Sequence, residues 1–192
     1  MTAEDAATPG SAGPSDWIRR LAHLAPSGCG VLDVACGAGR HVRYFQQRGH
    51  KVCALDRNPE ALAGLAALPD VETFNIDLED GGRWPLERRS FGAVIVTNYL
   101  YRPLLPHIVD SVAPGGVLLY ETFARGNAAF GKPSNPDFLL APGELLDAVN
   151  GKLRVIAYED GLVKTPHPAA IQRIAAVSRD PSESPLPLST PA

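Results

Sequence analysis

The sequence predicts an α/β fold around a mostly parallel sheet, and three observations carry that reading. From Val31 an apolar, β-branched run passes straight into a glycine turn and then a helical pattern, so a buried strand hands over to a helix with almost no loop. Further apolar stretches of strand length follow, separated by segments of helical periodicity, as parallel strands covered on both faces require. Near the C-terminus two alternating stretches are joined by a link too short for a crossover helix, so this pair is antiparallel.

The whole chain sets further bounds. Its 192 residues suffice for one domain with a sizeable core. Lys and Arg number 18 against 21 Asp and Glu, a formal net charge of −3, which supplies no general attraction to nucleic acid or an anionic membrane. The three cysteines, Cys29, Cys36 and Cys53, are odd in number and lack metal-ligand spacing, so reduced thiols in a cytoplasmic protein and no metal site are expected. Residues 1–14 lack a basic start followed by an apolar run and read as a disordered tail, neither signal peptide nor membrane anchor. Residues 15–179 are the domain. Residues 180–192, with Pro181, Pro185, Pro187 and Pro191 among serines, read as a second disordered tail.

Within the domain, Ser15 or Asp16 caps a helix whose Trp17, Leu21 and Leu24 share a face, ended by Pro26 and Gly28. The first strand contains Val31-Leu32-Asp33-Val34, followed by Ala35-Cys36-Gly37-Ala38-Gly39 and a helix from Arg40. Gly37 and Gly39 can adopt positive φ and let a ligand approach the backbone, while the first helical amides point outward without partners. Two ligands suit such a turn, a dinucleotide pyrophosphate or a nucleoside with a different tail. The dinucleotide fingerprint asks for a third glycine where this chain has Val42. Asp33, inside the strand, would oppose a pyrophosphate and welcome an ammonium group.

The second strand, Lys51 to Asp56, ends on a carboxylate 17 residues after Gly39. That distance suits one crossover helix and a return strand, which places Asp56 where open α/β sheets bind ligands. There it can accept from both hydroxyls of a ribose, or serve as a solvated strand-end acid. Asn58-Pro59-Glu60 opens the next helix with its own cap, and that helix carries Ala61, Leu62, Leu65 and Leu68. A third strand is expected over 71–79, a loop around Gly81–Pro85, and a fourth, almost wholly apolar strand over 91–98. A short helix over 104–112 and an Ala113-Pro114-Gly115-Gly116 turn lead to a fifth strand over 117–123. The loop 124–141 is too long for a mere connector, so it either carries function or acts as a lid. A short helix over 142–149 precedes the hairpin strands 153–160 and 170–179.

Leu32-Asp33-Val34-Ala35-Cys36-Gly37-Ala38-Gly39 resembles the first motif of the class I S-adenosylmethionine-dependent methyltransferases, with Ala35 where many members carry glycine. The resemblance covers roughly residues 16–179. It implies a Rossmann-like seven-stranded sheet of order 3-2-1-4-5-7-6, last strand antiparallel, with helices on both faces and S-adenosyl-L-methionine as cofactor. Carried onto this chain, it implies that Asp33, Ala35, Gly37 and Gly39 hold the methionine tail. Asp56 holds the ribose, Asp77 and the Leu78 amide meet the adenine, and Arg57 and Asn98 are further cofactor-binding candidates. Glu79 and Asp80 crowd Asp77, whose alternative role is an exposed acidic turn.

The fourth strand ends in Asn98-Tyr99-Leu100-Tyr101-Arg102-Pro103, without the two prolines of the Asn-Pro-Pro-Tyr type that acts on base amines, which disfavours a flipped base as acceptor. Tyr99 and Tyr101 could line the acceptor pocket or face the sulfonium, and equally could pack under the following loop. They and His107, as general base, are the catalytic candidates, with Glu121 at the end of the fifth strand as a further candidate for the base. The long loop resembles the acceptor-side loop of small bacterial methyltransferases related to the tellurite-resistance enzymes, which makes Phe123, Arg125, Phe130, Lys132 and Asn135 the acceptor candidates. The expected activity is in-line methyl transfer to a small molecule, including a soft or chalcogen nucleophile. The alternatives are an RNA or other macromolecule as acceptor, a non-catalytic S-adenosylmethionine-binding module, and an NAD-dependent reductase. Val42, Asp33 and the Pro-Gly-Gly turn oppose the last of these.

Overall fold

A computed structural model describes residues 13–165, 167–178 and 186. The two expected tails therefore lie outside the described residues apart from Gly13, Pro14 and Leu186, of which Leu186 packs against the core.

One sheet organises the chain. Its strands are β1 (Gly30–Val34), β2 (Lys51–Asp56), β3 (Val71–Asn75), β4 (Phe91–Thr97), β5 (Val112–Phe123), β6 (Arg154–Val163) and β7 (Ala169–Val177), in the order β3-β2-β1-β4-β5-β7-β6. Strands β1 to β5 run parallel, and β7 lies antiparallel between β5 and β6, in agreement with the expected order. The helices are α1 (Asp16–Leu21), α2 (Arg40–Gln46), α3 (Pro59–Ala66), α4 (Leu105–Asp110) and α5 (Glu144–Val149).

The continuous apolar character of β1 and β4 follows from burial on two faces. On one face Trp17, Ile18, Val42, Phe45, Leu62 and Leu65 of α1, α2 and α3 cover Val31, Val52, Ile95 and Leu119 of the sheet. On the other, Ile108 and Val109 of α4 and Leu145 and Val149 of α5 cover Leu118, Val94 and Ile174. No helix joins β3 to β4; Trp84 and Leu86, both buried, descend from that loop onto Leu32, Val34 and Leu55 in the helix's stead.

The structure corrects several expected boundaries. The third strand stops at Asn75, because Asp77 turns the chain by accepting a hydrogen bond from the Glu79 N–H (3.0 Å). The expected helix over 104–112 divides into a 3₁₀ turn, Arg102–Leu104, and α4, which ends at Asp110. Ala113-Pro114-Gly115-Gly116 is no turn before a strand; it is a bulge inside β5, where the register with β4 shifts between Phe91 and Ala93 and Gly115 takes φ 76°. A Cβ on Gly116 would lie 2.9 Å from the carbonyl oxygens of Ala113 and Phe91, so the bulge needs glycine there. Strand β6 extends to Val163 because Gly161, Leu162 and Val163 stay paired with Ile171, Ala170 and Ala169. Helix α5 starts at Glu144, after Gly143 at φ 77°.

Candidate cofactor and acceptor site

At the C-terminal end of β1 the chain enters the glycine turn with Ala35 in the left-handed region, φ 53°, a conformation that costs an L-residue about 1 kcal/mol. Gly37 and Gly39 follow at φ 55° and 76°. At Gly39 space adds to the requirement, since a Cβ would come within 2.4 Å of the Leu65 side chain of α3. Asp33 lies buried under this turn, and its Oδ2 has no hydrogen-bond partner. Burial pushes the Asp33 carboxyl up to about 8, with Arg40 opposing the shift and Asp56 adding to it.

Asp56 joins the strand end to the turn. Its Oδ2 accepts from the Gly37 N–H at 2.7 Å and its Oδ1 from the Asn58 N–H at 2.8 Å. Each oxygen keeps a second lone pair for a ligand. Asn58 then caps α3 by accepting from the Glu60 and Ala61 N–H groups at 2.9 and 3.2 Å. Beside this acid lies a small cleft of about 130 Å³ that brings together Ala35, Asp56, Arg57, Asp77, Leu78 and Tyr99. Five of these are cofactor candidates from the sequence. Tyr99, a catalytic candidate, belongs to this cleft and not to the acceptor side. Its buried hydroxyl makes no hydrogen bond of good geometry, and burial together with the Glu79 carboxylate pushes its pKa up.

A second, wider cleft of about 690 Å³ opens past the end of β4, lined by Arg40, Asn98, Glu121, Phe123, Phe130 and Lys132 among others. Asn98 sits at φ 55° and donates its N–H to the Glu121 carbonyl at 2.9 Å, which fixes the rim between the two clefts. Ser15 and Asp16 at the start of α1 complete one wall. Ser15 is held by His41 of α2, whose Nε2 accepts from the Ser15 N–H at 3.1 Å while Nδ1 lies 3.5 Å from Thr97 Oγ1. Burial, then Arg40, pushes His41 down to about 3, so the imidazole is neutral with its proton on Nδ1.

The long loop 124–141 is ordered by polar anchors. Buried Asn127 donates from Nδ2 to the Pro133 carbonyl (3.0 Å) and accepts at Oδ1 from the Ala170 N–H of β7 (3.2 Å). Arg102 donates to the carbonyls of Asp137 and Leu139, at 2.6 and 3.0 Å, and pairs with Glu144. Sequence reasoning missed Asn127, His41 and Glu121's companion Arg173. Nothing in periodicity marks a lone buried polar residue whose partners are distant in the chain.

The structure does not bring every candidate to a cleft. Tyr101 packs against the core on the α4 side. His107 is exposed on α4 with its ring stacked on Trp84, centroids 5.9 Å apart. Neither lines either cleft, nor do Arg125 and Asn135; Asn135 caps a 3₁₀ turn by accepting from the Asp137 N–H at 3.1 Å. Among the described residues no group of His, Cys, Asp and Glu has the arrangement of a metal site.

Residues 31–116 match the family model described as Methyltransferase domain. The seven-strand order is the one expected above from the resemblance to the class I S-adenosylmethionine-dependent methyltransferases. Among curated proteins, the malonyl-[acyl-carrier protein] O-methyltransferase of Salmonella typhimurium is 32% identical over 113 residues, 50% of this chain and 40% of its own. The ubiquinone biosynthesis O-methyltransferase of Xanthomonas axonopodis pv. citri is 31% identical over 120 residues, 57% of this chain and 49% of its own. The chain thus spans less than half the length of these relatives. Among solved structures, TehB from Haemophilus influenzae superposes with a TM-score of 0.66 at 19% identity, covering 84% of this chain and 61% of its own. The glycopeptide N-methyltransferase MtfA, complexed with S-adenosylhomocysteine, gives 0.60 at 21% identity over 88% of this chain and 92% of its own. At these identities the structural likeness concerns the fold.

Proposed function

We propose that the protein is a methyltransferase that carries the methyl group of S-adenosylmethionine to a small-molecule acceptor. The observation that carries this reading is the pair of clefts meeting at Asn98 and Tyr99, one small and acidic, the other wide and aromatic-walled.

The residues present fit the cofactor. Asp33 has a buried carboxylate oxygen without a partner beside the glycine turn, suited to the ammonium of the methionine tail. Gly37 and Gly39 let that tail approach the backbone. Asp56 offers two free lone pairs to the ribose hydroxyls, with Arg57 at the rim, and Asp77 with the Leu78 amide addresses the adenine. When bound, S-adenosylmethionine supplies an activated methyl on a sulfonium. The protein's task is then orientation and exclusion of water, and good positioning alone can contribute about 7–11 kcal/mol.

Several features support a small acceptor: the net charge of −3, a cleft of about 690 Å³, and the ubiquinone biosynthesis O-methyltransferase among the relatives. Phe123, Phe130 and Lys132 line that cleft, so the acceptor contacts rest on these three and not on Arg125 or Asn135. Among the described residues no helix is long and apolar enough to cross a membrane, and the three cysteines are free, which supports a cytoplasmic protein.

Calorimetric titration with S-adenosylmethionine and, in parallel, NADH tests the reading. Micromolar binding of the first with none of the second is expected, and Asp56→Ala should weaken it at least tenfold. Binding of NADH alone would return Gly37, Gly39 and Asp56 to a dinucleotide site.

A further inference from the structure

Glu121 stands at the end of β5, in register with Thr97 of β4 on one side and Arg173 of β7 on the other. Its side chain is only 12% exposed, yet it lines the wide cleft next to Asn98. Arg173 donates from Nη1 to Glu121 Oε2 at 3.2 Å and from Nε to Glu159 Oε2 of β6 at 2.7 Å, with its guanidinium 5.0 Å from the Trp17 ring. Glu159 Oε1 in turn accepts from Arg20 of α1 at 2.7 Å. A row of alternating charge, Arg20, Glu159, Arg173 and Glu121, therefore crosses the sheet edge and ends in the cleft.

The row is uneven. Arg173 serves two carboxylates and Glu159 two guanidinium groups, whereas Glu121 has one partner, and its Oε1 accepts no hydrogen bond from the described residues. The carboxylate is largely buried and held from one side, and the oxygen left open faces the cleft, free to accept from a donor that enters there. The other members lock its position, as a group that must meet a reacting atom requires. Around it Phe123, Phe130 and Ile171 offer apolar surface.

Building on the methyltransferase reading above, we propose that Glu121 engages the methyl acceptor, and that this acceptor has an apolar body and a reacting oxygen or nitrogen that bears hydrogen. Its O–H or N–H donates to Glu121 Oε1, which aims the lone pair and receives the proton. As that lone pair becomes the new bond to carbon, the pair of the broken carbon–sulfur bond stays on sulfur. The proton passes to Glu121 and then to water. A soft nucleophile presented as an anion, such as a thiolate or an oxyanion of a heavy chalcogen, has no proton to give Glu121 Oε1 and would meet that carboxylate at the point of attack, leaving Arg40 and Lys132 as the groups of the same cleft that attract it. The carboxylate thus selects against the chalcogen acceptors that the sequence resemblance suggests.

The test is calorimetric and uses the full chain saturated with S-adenosylhomocysteine, titrated with 4-ethylphenol, with 4-ethylanisole, which lacks the donor, and with 4-ethylthiophenolate. The phenol should bind at least fivefold tighter than either of the others. In Glu121→Gln that preference should fall below twofold while the affinity for S-adenosylhomocysteine changes by less than twofold. Glu121→Asp, which keeps the charge and retracts it, should also lower the preference and guards against a Gln variant that fails to fold. No saturable binding of the phenol, a preference that survives both substitutions, or tighter binding of the thiolate would each overturn the proposal. Failure of S-adenosylhomocysteine to bind the unmodified chain would instead overturn the methyltransferase reading on which it rests.

Discussion

Asp33 is a carboxyl group whose protonation couples stability to ligand binding. Its ordinary pKa of 3.8 rises to about 8 in the folded, ligand-free protein because burial disfavours the charge. Between those values the folded chain holds a proton that the unfolded chain has released, so this group's contribution to stability falls as pH rises from about 4 to 8. A cation placed against Asp33 reverses the preference. Binding of the cofactor's ammonium should therefore release a proton at neutral pH, and affinity should tighten by about tenfold from pH 6.5 to pH 8 and level off above. Titrations in buffers of different ionisation enthalpy measure that proton directly. Asp33→Asn should abolish the release, weaken cofactor binding, and raise the ligand-free protein's resistance to urea at pH 8. A cofactor affinity indifferent to pH over this window would remove Asp33 from the ammonium site. His41 acts with the opposite sign. Its pKa falls from 6.5 to about 3 on folding, so stability from this residue is full above pH 6.5 and drains away as pH falls toward 3.

At the scale of elements, the loop 124–141 depends on polar anchors more than on apolar ones. Asn127 satisfies the buried Ala170 N–H and the part-buried Pro133 carbonyl, while Phe130 and Phe138 are each 46% exposed. Asn127→Ala leaves that carbonyl and that N–H unpaired and should cost about 2 kcal/mol, seen in chemical denaturation, with faster proteolysis within the loop. Asn127→Asp keeps the acceptor for Ala170 but sets a buried carboxylate oxygen against the Pro133 carbonyl, so it should cost at least as much. The same loop shows where sequence reading stops. Strands β1 and β4 and the glycine turn were legible because two-sided burial writes a continuous apolar run, and because only glycine fits beside Leu65 at position 39. The bulge at Gly115 and Gly116 was read as a turn, since turn formers serve both purposes and only pairing with β4 decides between them. Asp56 is legible as an acid at the carboxyl end of a parallel strand, whereas Asp77 and Leu78 join it only through the family resemblance; all three line one cleft. His107 is a candidate by its place just beyond a strand and Arg125 by the resemblance of its loop to an acceptor-side loop, and helix and loop geometry carry both away from the two clefts.

Over the whole molecule, a parallel sheet must be covered on both faces, and this chain covers one of them with little helix. Helices α1, α2 and α3 supply the first face, but on the second the β3–β4 connection offers the buried Trp84 and Leu86, with Ile76 and Leu78 partly buried, over the strands that carry the cofactor turn. Trp84 fills what a helix would otherwise fill, and its buried indole Nε1 lacks a hydrogen-bond partner. Two opposing effects follow. Removing the side chain opens a cavity under Leu32 and Val34, so Trp84→Ala should cost about 3–5 kcal/mol, a large share of the stability of a domain this size. Trp84→Phe leaves a smaller cavity and discards an unpaired donor, whose burial costs about 1–3 kcal/mol, so its net effect should be much smaller. Urea denaturation of the three proteins should therefore rank them wild type, Phe, Ala, with the Phe variant close to wild type. Trp84 lines neither cleft, so folded Trp84→Ala should bind S-adenosylmethionine within about threefold of wild type. Loss of binding without loss of stability would mean that this loop supports the cofactor turn directly, through Leu32 and Val34, instead of closing the core beneath it.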